Sequence, residues 1–96
     1  MKANIQKFLV KITHLLSDSG ETKWAATFEN FSKDLEVDYD TTLIKIKRTF
    51  GGAGSFNDVV LHQNGQMLTS ENRELNILQD QLYDALTAEI VRTRGH

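Results

Sequence analysis

The sequence predicts a mainly α-helical, bundle-like domain of four helices, with a short β-hairpin or irregular insert between the third and the fourth. Three observations lead there. Apolar residues recur at spacings of three and four over most of the chain, the period of one buried helix face. None of the 96 residues is proline, so no backbone donor is lost inside a long helix. Three of the six glycines fall in the stretch Gly51-Gly52-Ala53-Gly54, one sharp irregularity in a helical pattern. The length fits a single domain spanning residues 1–96, because two cores of half that size would bury too little apolar surface to offset chain entropy.

The first helix rests on Ile5, Phe8, Leu9, Ile12, Leu15 and Leu16. Asp18-Ser19-Gly20 then offers a left-handed stop and capping side chains. In the second helix Trp24, Phe28, Phe31 and Leu35 form a matching stripe, so the short connection predicts an antiparallel helical hairpin. The run Asp34-Leu35-Glu36-Val37-Asp38-Tyr39-Asp40 has an acid at every second position. Four carboxylates on one strand edge would repel one another, which favours a loop or frayed helix end. Asp40 reads as the N-cap of a third helix carrying Leu43, Ile46 and Phe50, with Lys45, Lys47 and Arg48 toward its negative pole and Gly51 as its stop. Beyond the glycines, Val59-Val60-Leu61 and Asn64-Gly65 predict a hairpin with arms near residues 59–63 and 66–68. Thr69 or Ser70 would cap a fourth helix built on Leu75, Leu78, Leu82, Leu86 and Ile90, with Glu71 and Glu74 near its start and Arg92 and Arg94 near its end.

Composition excludes several chemistries. Without cysteine there is no disulfide framework, zinc-thiolate site or thiol nucleophile, and the reducing cytoplasm is the expected compartment. His14, His62 and His96 stand singly, without metal-site spacing, so neither metal nor other cofactor is expected. The N-terminal stretch is interrupted by Gln6, Lys7 and Lys11, unlike a secretory signal, and no apolar run approaches a membrane span. Lys7, Lys11 and His14 share a helical stripe, but a chain of pI about 5.9 lacks the basic surplus for direct nucleic-acid binding.

The glycine segment invites a phosphate-binding reading that its neighbours reject. A P-loop requires Lys and then Ser or Thr after its last glycine, whereas Gly54 is followed by Ser55-Phe56-Asn57. The dinucleotide fingerprint fails because Asn57 occupies its third glycine position. A helix stop followed by a corner fits better, with Phe56 in the core and Asn57 or Asp58 capping backbone. Ser55, Asp58 and His62 have the residue types of a hydrolytic triad, but the sequence supplies no oxyanion hole and does not bring Ser55 within reach of the others. No catalytic residue is assigned.

The net charge of −2 conceals a segregated pattern. Residues 29–40 hold five acids against one lysine, whereas residues 1–28 and 41–70 each carry a positive excess. A solvated face is one reading of the acidic run. The other is a docking patch for a basic protein, in which Asp34, Glu36, Asp38 and Asp40 supply the field and Tyr39 an anchor.

The segment Phe50-Gly51-Gly52-Ala53-Gly54-Ser55-Phe56-Asn57-Asp58-Val59-Val60-Leu61, with Asn64-Gly65 and Glu74-Leu75 through Leu82-Tyr83, resembles a group of small uncharacterised bacterial proteins. Their segment reads Phe/Tyr-Gly-Gly-Met-Gly-Ser-Phe-Asn-Asp-Leu-Val-Leu, and Ala53 stands where Met is usual. Some small acidic helical proteins of this kind look like immunity proteins, which bind and silence a toxin delivered between neighbouring cells. The resemblance implies a cognate protein partner, a basic toxin domain such as a nuclease, whose substrate surface an acidic inhibitor can mimic. The expected partner-binding residues are Asp34, Glu36, Asp38, Tyr39 and Asp40, joined by Ser55, Asn57 and Asp58 of the loop. Two alternatives remain: a module that self-associates through Trp24 and Phe31, and a small hydrolase using Ser55 and His62.

Overall fold

The computed structural model describes residues 2–51 and 54–93. Gly52 and Ala53 of the glycine segment, together with Arg94 and His96, lie outside the described residues. Helix α1 spans Lys2–Asp18 and buries Ile5, Leu9, Ile12 and Leu16, the stripe set by its apolar spacing. Its last turn closes through the amide of Ser19, and Gly20 takes the left-handed conformation at φ 85°. Helix α2, Thr22–Val37, buries Ala25, Phe28 and Leu35. It runs antiparallel to α1, because Lys2 and Gln6 at the start of α1 both reach Glu36 at the end of α2.

The acidic run is more helical than its alternation suggests. Leu35 alone among residues 34–38 is buried, and it continues the stripe of Phe28 and Phe31, so α2 extends through Val37. Only Asp38 separates it from α3, Tyr39–Lys47. Asp38, at φ −144° and ψ 86°, closes α2 with its backbone and caps α3 by accepting the Thr41 amide on its side chain at 3.4 Å. The N-cap is therefore Asp38, and Asp40 sits in the first helical turn, where the dipole also favours a carboxylate. The far end of α3 falls short of Gly51. The amides of Thr49 and Phe50 turn back to the carbonyls of Ile46 and Lys47, tightening the chain into i→i+3 turns.

After Gly54 the chain makes one 3-10 turn, Phe56–Asp58, and a minimal antiparallel hairpin, β1 at His62–Gln63 and β2 at Gln66–Met67. Asn64 and Gly65 join them with φ of 55° and 78°, the paired positive values of a type I′ turn. Both arms are shorter than the sequence predicts. Leu61 turns inward, fully buried, and its backbone is held by the Asn72 side chain as well as by the Leu68 amide. Helix α4, Thr69–Thr93, is already helical at Thr69, and the Asn72 amide bonds the Leu68 carbonyl. The cap expected at Thr69 or Ser70 thus falls one residue or more inside the helix.

Helix α3 runs antiparallel to α4, since Tyr39 meets Glu89 whereas Phe50 meets Tyr83. The buried apolar residues form one cluster to which all four helices, Phe56 and Leu61 contribute. Phe28 and Phe56 lie at its centre with ring centroids 4.4 Å apart. The body is elongated, 46 × 22 × 21 Å. No helix among the described residues is long and apolar enough to cross a membrane.

Candidate functional site

At one end of the body the start of α1, the end of α2, the start of α3 and the end of α4 meet. Glu36 receives Lys2 Nζ at 3.2 Å on one oxygen and the Gln6 amide on the other. The Gln6 hydrogen bond and then the Lys2 ammonium hold its carboxyl below the usual range. On α4, Glu89 is 1% exposed. Arg92 grips it with Nε at 2.7 Å and Nη2 at 2.9 Å, and the Tyr39 hydroxyl donates to it from α3. The guanidinium contacts outweigh burial and, with Tyr39, push the Glu89 carboxyl down to about 2. Burial, reinforced by the bond to Glu89, pushes the Tyr39 phenol up.

Outside these pairs the end remains acidic. Asp34, Asp38 and Asp40 are exposed and make no ion pair among the described residues. Among the described residues, five carboxylates, Asp34, Glu36, Asp38, Asp40 and Glu89, share the end with Lys2 and Arg92. Tyr39 is half-buried, its hydroxyl engaged and its ring covered by Lys2 at 5.5 Å. The most exposed apolar group is Val37, 87% exposed between Glu36 and Asp38.

The loop residues lie elsewhere. Asp58 Oδ2 accepts the Gly54 amide at 2.8 Å and closes the loop on itself. Ser55 and Asp58 face Trp24 near the start of α2. Trp24 and Glu36 are twelve residues apart, about 18 Å of helix rise. The structure therefore divides the sequence-predicted residues into an acidic end, 34–40, and a loop set, 55–58. Asn57 is on another side of the loop, in a groove of about 740 Å³ with Phe50, Asn76, Gln79, Asp80, Tyr83 and Asp84. The triad residue types bond separately: His62 Nδ1 lies 3.1 Å from the Val60 carbonyl, Asp58 bonds Gly54, and the buried Ser55 Oγ has no partner among the described residues. Trp24 and Phe31, the residues of the self-association alternative, pack on Phe28 and are partly buried.

Residues 17–69 match the model of a protein family described as a domain of unknown function, DUF6966. The chain belongs to that family. The matched segment runs from the end of α1 through the hairpin to the first residue of α4, and so contains both the acidic run and the loop. No curated protein and no solved structure matches the chain.

Four residues that matter to these surfaces are not singled out by sequence reasoning. Asn72, Gln79 and Glu89 fall on the apolar face of α4 with Leu75, Leu82 and Leu86. A polar side chain inside such a stripe needs a buried partner, which is the signal that could have found them. Asn72 takes the Leu61 amide and donates to the Leu61 and Leu68 carbonyls, Gln79 donates to the Phe56 carbonyl at 2.8 Å, and Glu89 holds Tyr39 and Arg92. Val37, the fourth, carries no such signal, because its exposure follows from α2 ending there.

Proposed function

We propose that the chain is an immunity-type protein that neutralises a cognate toxin by stoichiometric contact with a basic domain, using the acidic end as its docking surface. The observation that carries this reading is the surplus of exposed carboxylates around Val37. Asp34, Asp38 and Asp40 make no ion pair among the described residues. Asp38 is tied only to the Thr41 amide and Asp40 feels Arg92 at a distance, and a cationic partner would offset the remaining repulsion while the complementary field speeds encounter. Glu36, held in place by Lys2 and Gln6, offers a fixed acceptor. Tyr39 and Glu89 brace the surface from beneath, and Val37 supplies the apolar contact that charge alone does not.

The surface resembles a short stretch of nucleic-acid backbone in one respect, closely spaced negative charge, which would suit a nuclease as the toxin. Ser55 and Asp58, about a helix length away, would belong to a second contact or to the loop's own closure. The reading is tested by co-expressing the chain with the product of the adjacent gene, where the cognate toxin is expected. Restored growth and a copurifying complex are expected. Growth arrest with no complex would overturn it.

A further inference from the structure

We infer that the groove between the loop and α4 is a receptor for an arginine side chain of the partner protein. The groove is walled by Phe50 and Tyr83, whose rings meet edge-on at 5.4 Å, and it carries Asp80 and Asp84 one helical turn apart with Asn57 and Asn76. Neither aspartate makes an ion pair among the described residues. Gln79 is the second, independent feature. It lines the groove, is 6% exposed, and its amide nitrogen is taken by the Phe56 carbonyl at 2.8 Å. That bond fixes the amide's orientation, because the opposite one would set two oxygens against each other. The Gln79 oxygen, which accepts no hydrogen bond among the described residues, is the polar atom it has left to offer the groove.

Carboxylates, an unpartnered amide oxygen and aromatic rings together suit a flat cation with several N–H donors. Guanidinium meets all three: it bonds carboxylates in a fork, donates to carbonyls and stacks on aromatic faces. Lys47 already stands over the Tyr83 ring at 5.5 Å, so the wall accommodates a cation, yet it leaves both aspartates unpaired. A compact ammonium would satisfy fewer of these acceptors. Free arginine carries a solvated zwitterionic head that must be partly stripped of water at the groove mouth, a cost an arginine within a polypeptide avoids. The inference rests on the chain acting as a partner binder and adds a contact separate from the acidic end.

The test is an NMR titration of the full ¹⁵N-labelled chain with blocked Gly-Arg-Gly, its lysine and citrulline counterparts, and free arginine. Shifts should centre on Asn57, Asn76 and Gln79 with the arginine peptide, weaken several-fold with lysine or free arginine, and vanish with the neutral citrulline. The exposed double variant Asp80→Asn, Asp84→Asn should weaken the arginine peptide about tenfold. Equal response to citrulline, stronger binding of free arginine, shifts confined to residues 34–40, or indifference to the double variant would each overturn the inference. The titration needs no toxin. A groove that binds arginine after failed rescue leaves this inference standing without the immunity reading, and a silent groove after successful rescue does the reverse.

Discussion

The two ends of α2 treat their polar groups in opposite ways. Around the loop near its start, irregular backbone is satisfied from within: Asn72 clamps Leu61 and Leu68, Gln79 holds Phe56, and Asp58 closes on Gly54. At its far end Glu36 is held by Lys2 and Gln6 and Glu89 by Tyr39, all distant in sequence, with Arg92 adding a local pair to Glu89, while Asp34, Asp38 and Asp40 stay exposed without an ion pair among the described residues. Internal satisfaction of this kind fixes a fold. Charge left over at an ordered surface is available to a partner.

If the loop side is structural, breaking it should cost the most. Phe56→Ala removes a fully buried ring from the centre of the aromatic cluster and should destabilise by about 3–5 kcal/mol, read by denaturant unfolding. A loss below about 1 kcal/mol would mean the loop is only loosely docked. Gln79→Ala orphans the Phe56 carbonyl and should cost about 1–3 kcal/mol by the same assay. Gly65→Ala forces an L-residue to φ 78° and should cost about 1 kcal/mol, with the hairpin amides losing hydrogen-exchange protection first.

The acidic end should respond to pH before it responds to mutation. The Glu89 carboxyl is depressed to about 2 from 4.5, so its contribution is fully present above the unfolded value and is lost as pH falls through the interval between the two. Unfolding midpoints measured from neutral pH downward should drop more steeply there in the wild type than in Glu89→Gln. Parallel curves would mean the Tyr39–Glu89–Arg92 cluster is not formed in solution. The smallest stability effect is expected from Asp34→Asn, Asp38→Asn, Asp40→Asn, which keeps a competent N-cap at position 38 and should stay within about 0.5 kcal/mol of wild type.

The contrast also explains what the sequence discloses. The stripes of α1, α2 and α4 were legible because burial on a helix leaves a period, and Asn64-Gly65 was legible because few residue pairs tolerate two positive φ values. The acidic run misled because alternating charge has no helical period, while the one residue that decides its conformation is the buried Leu35. The separation of residues 34–40 from 55–58 was invisible, since it depends on how α2 lies under the loop. Tyr39 looked like an outward anchor until Glu89, fifty residues away, claimed its hydroxyl. Pairings of that range leave no local trace.

The most direct measurement is the association rate of the chain with the proposed basic partner, sought first in the product of the adjacent gene, followed over ionic strength for the wild type and the triple asparagine variant. The wild-type rate should fall steeply with salt, and the variant rate should be lower at low salt and fall less steeply, with Glu36 still present. Identical salt dependence in the two proteins would contradict it, because the partner would then not be reading Asp34, Asp38 and Asp40.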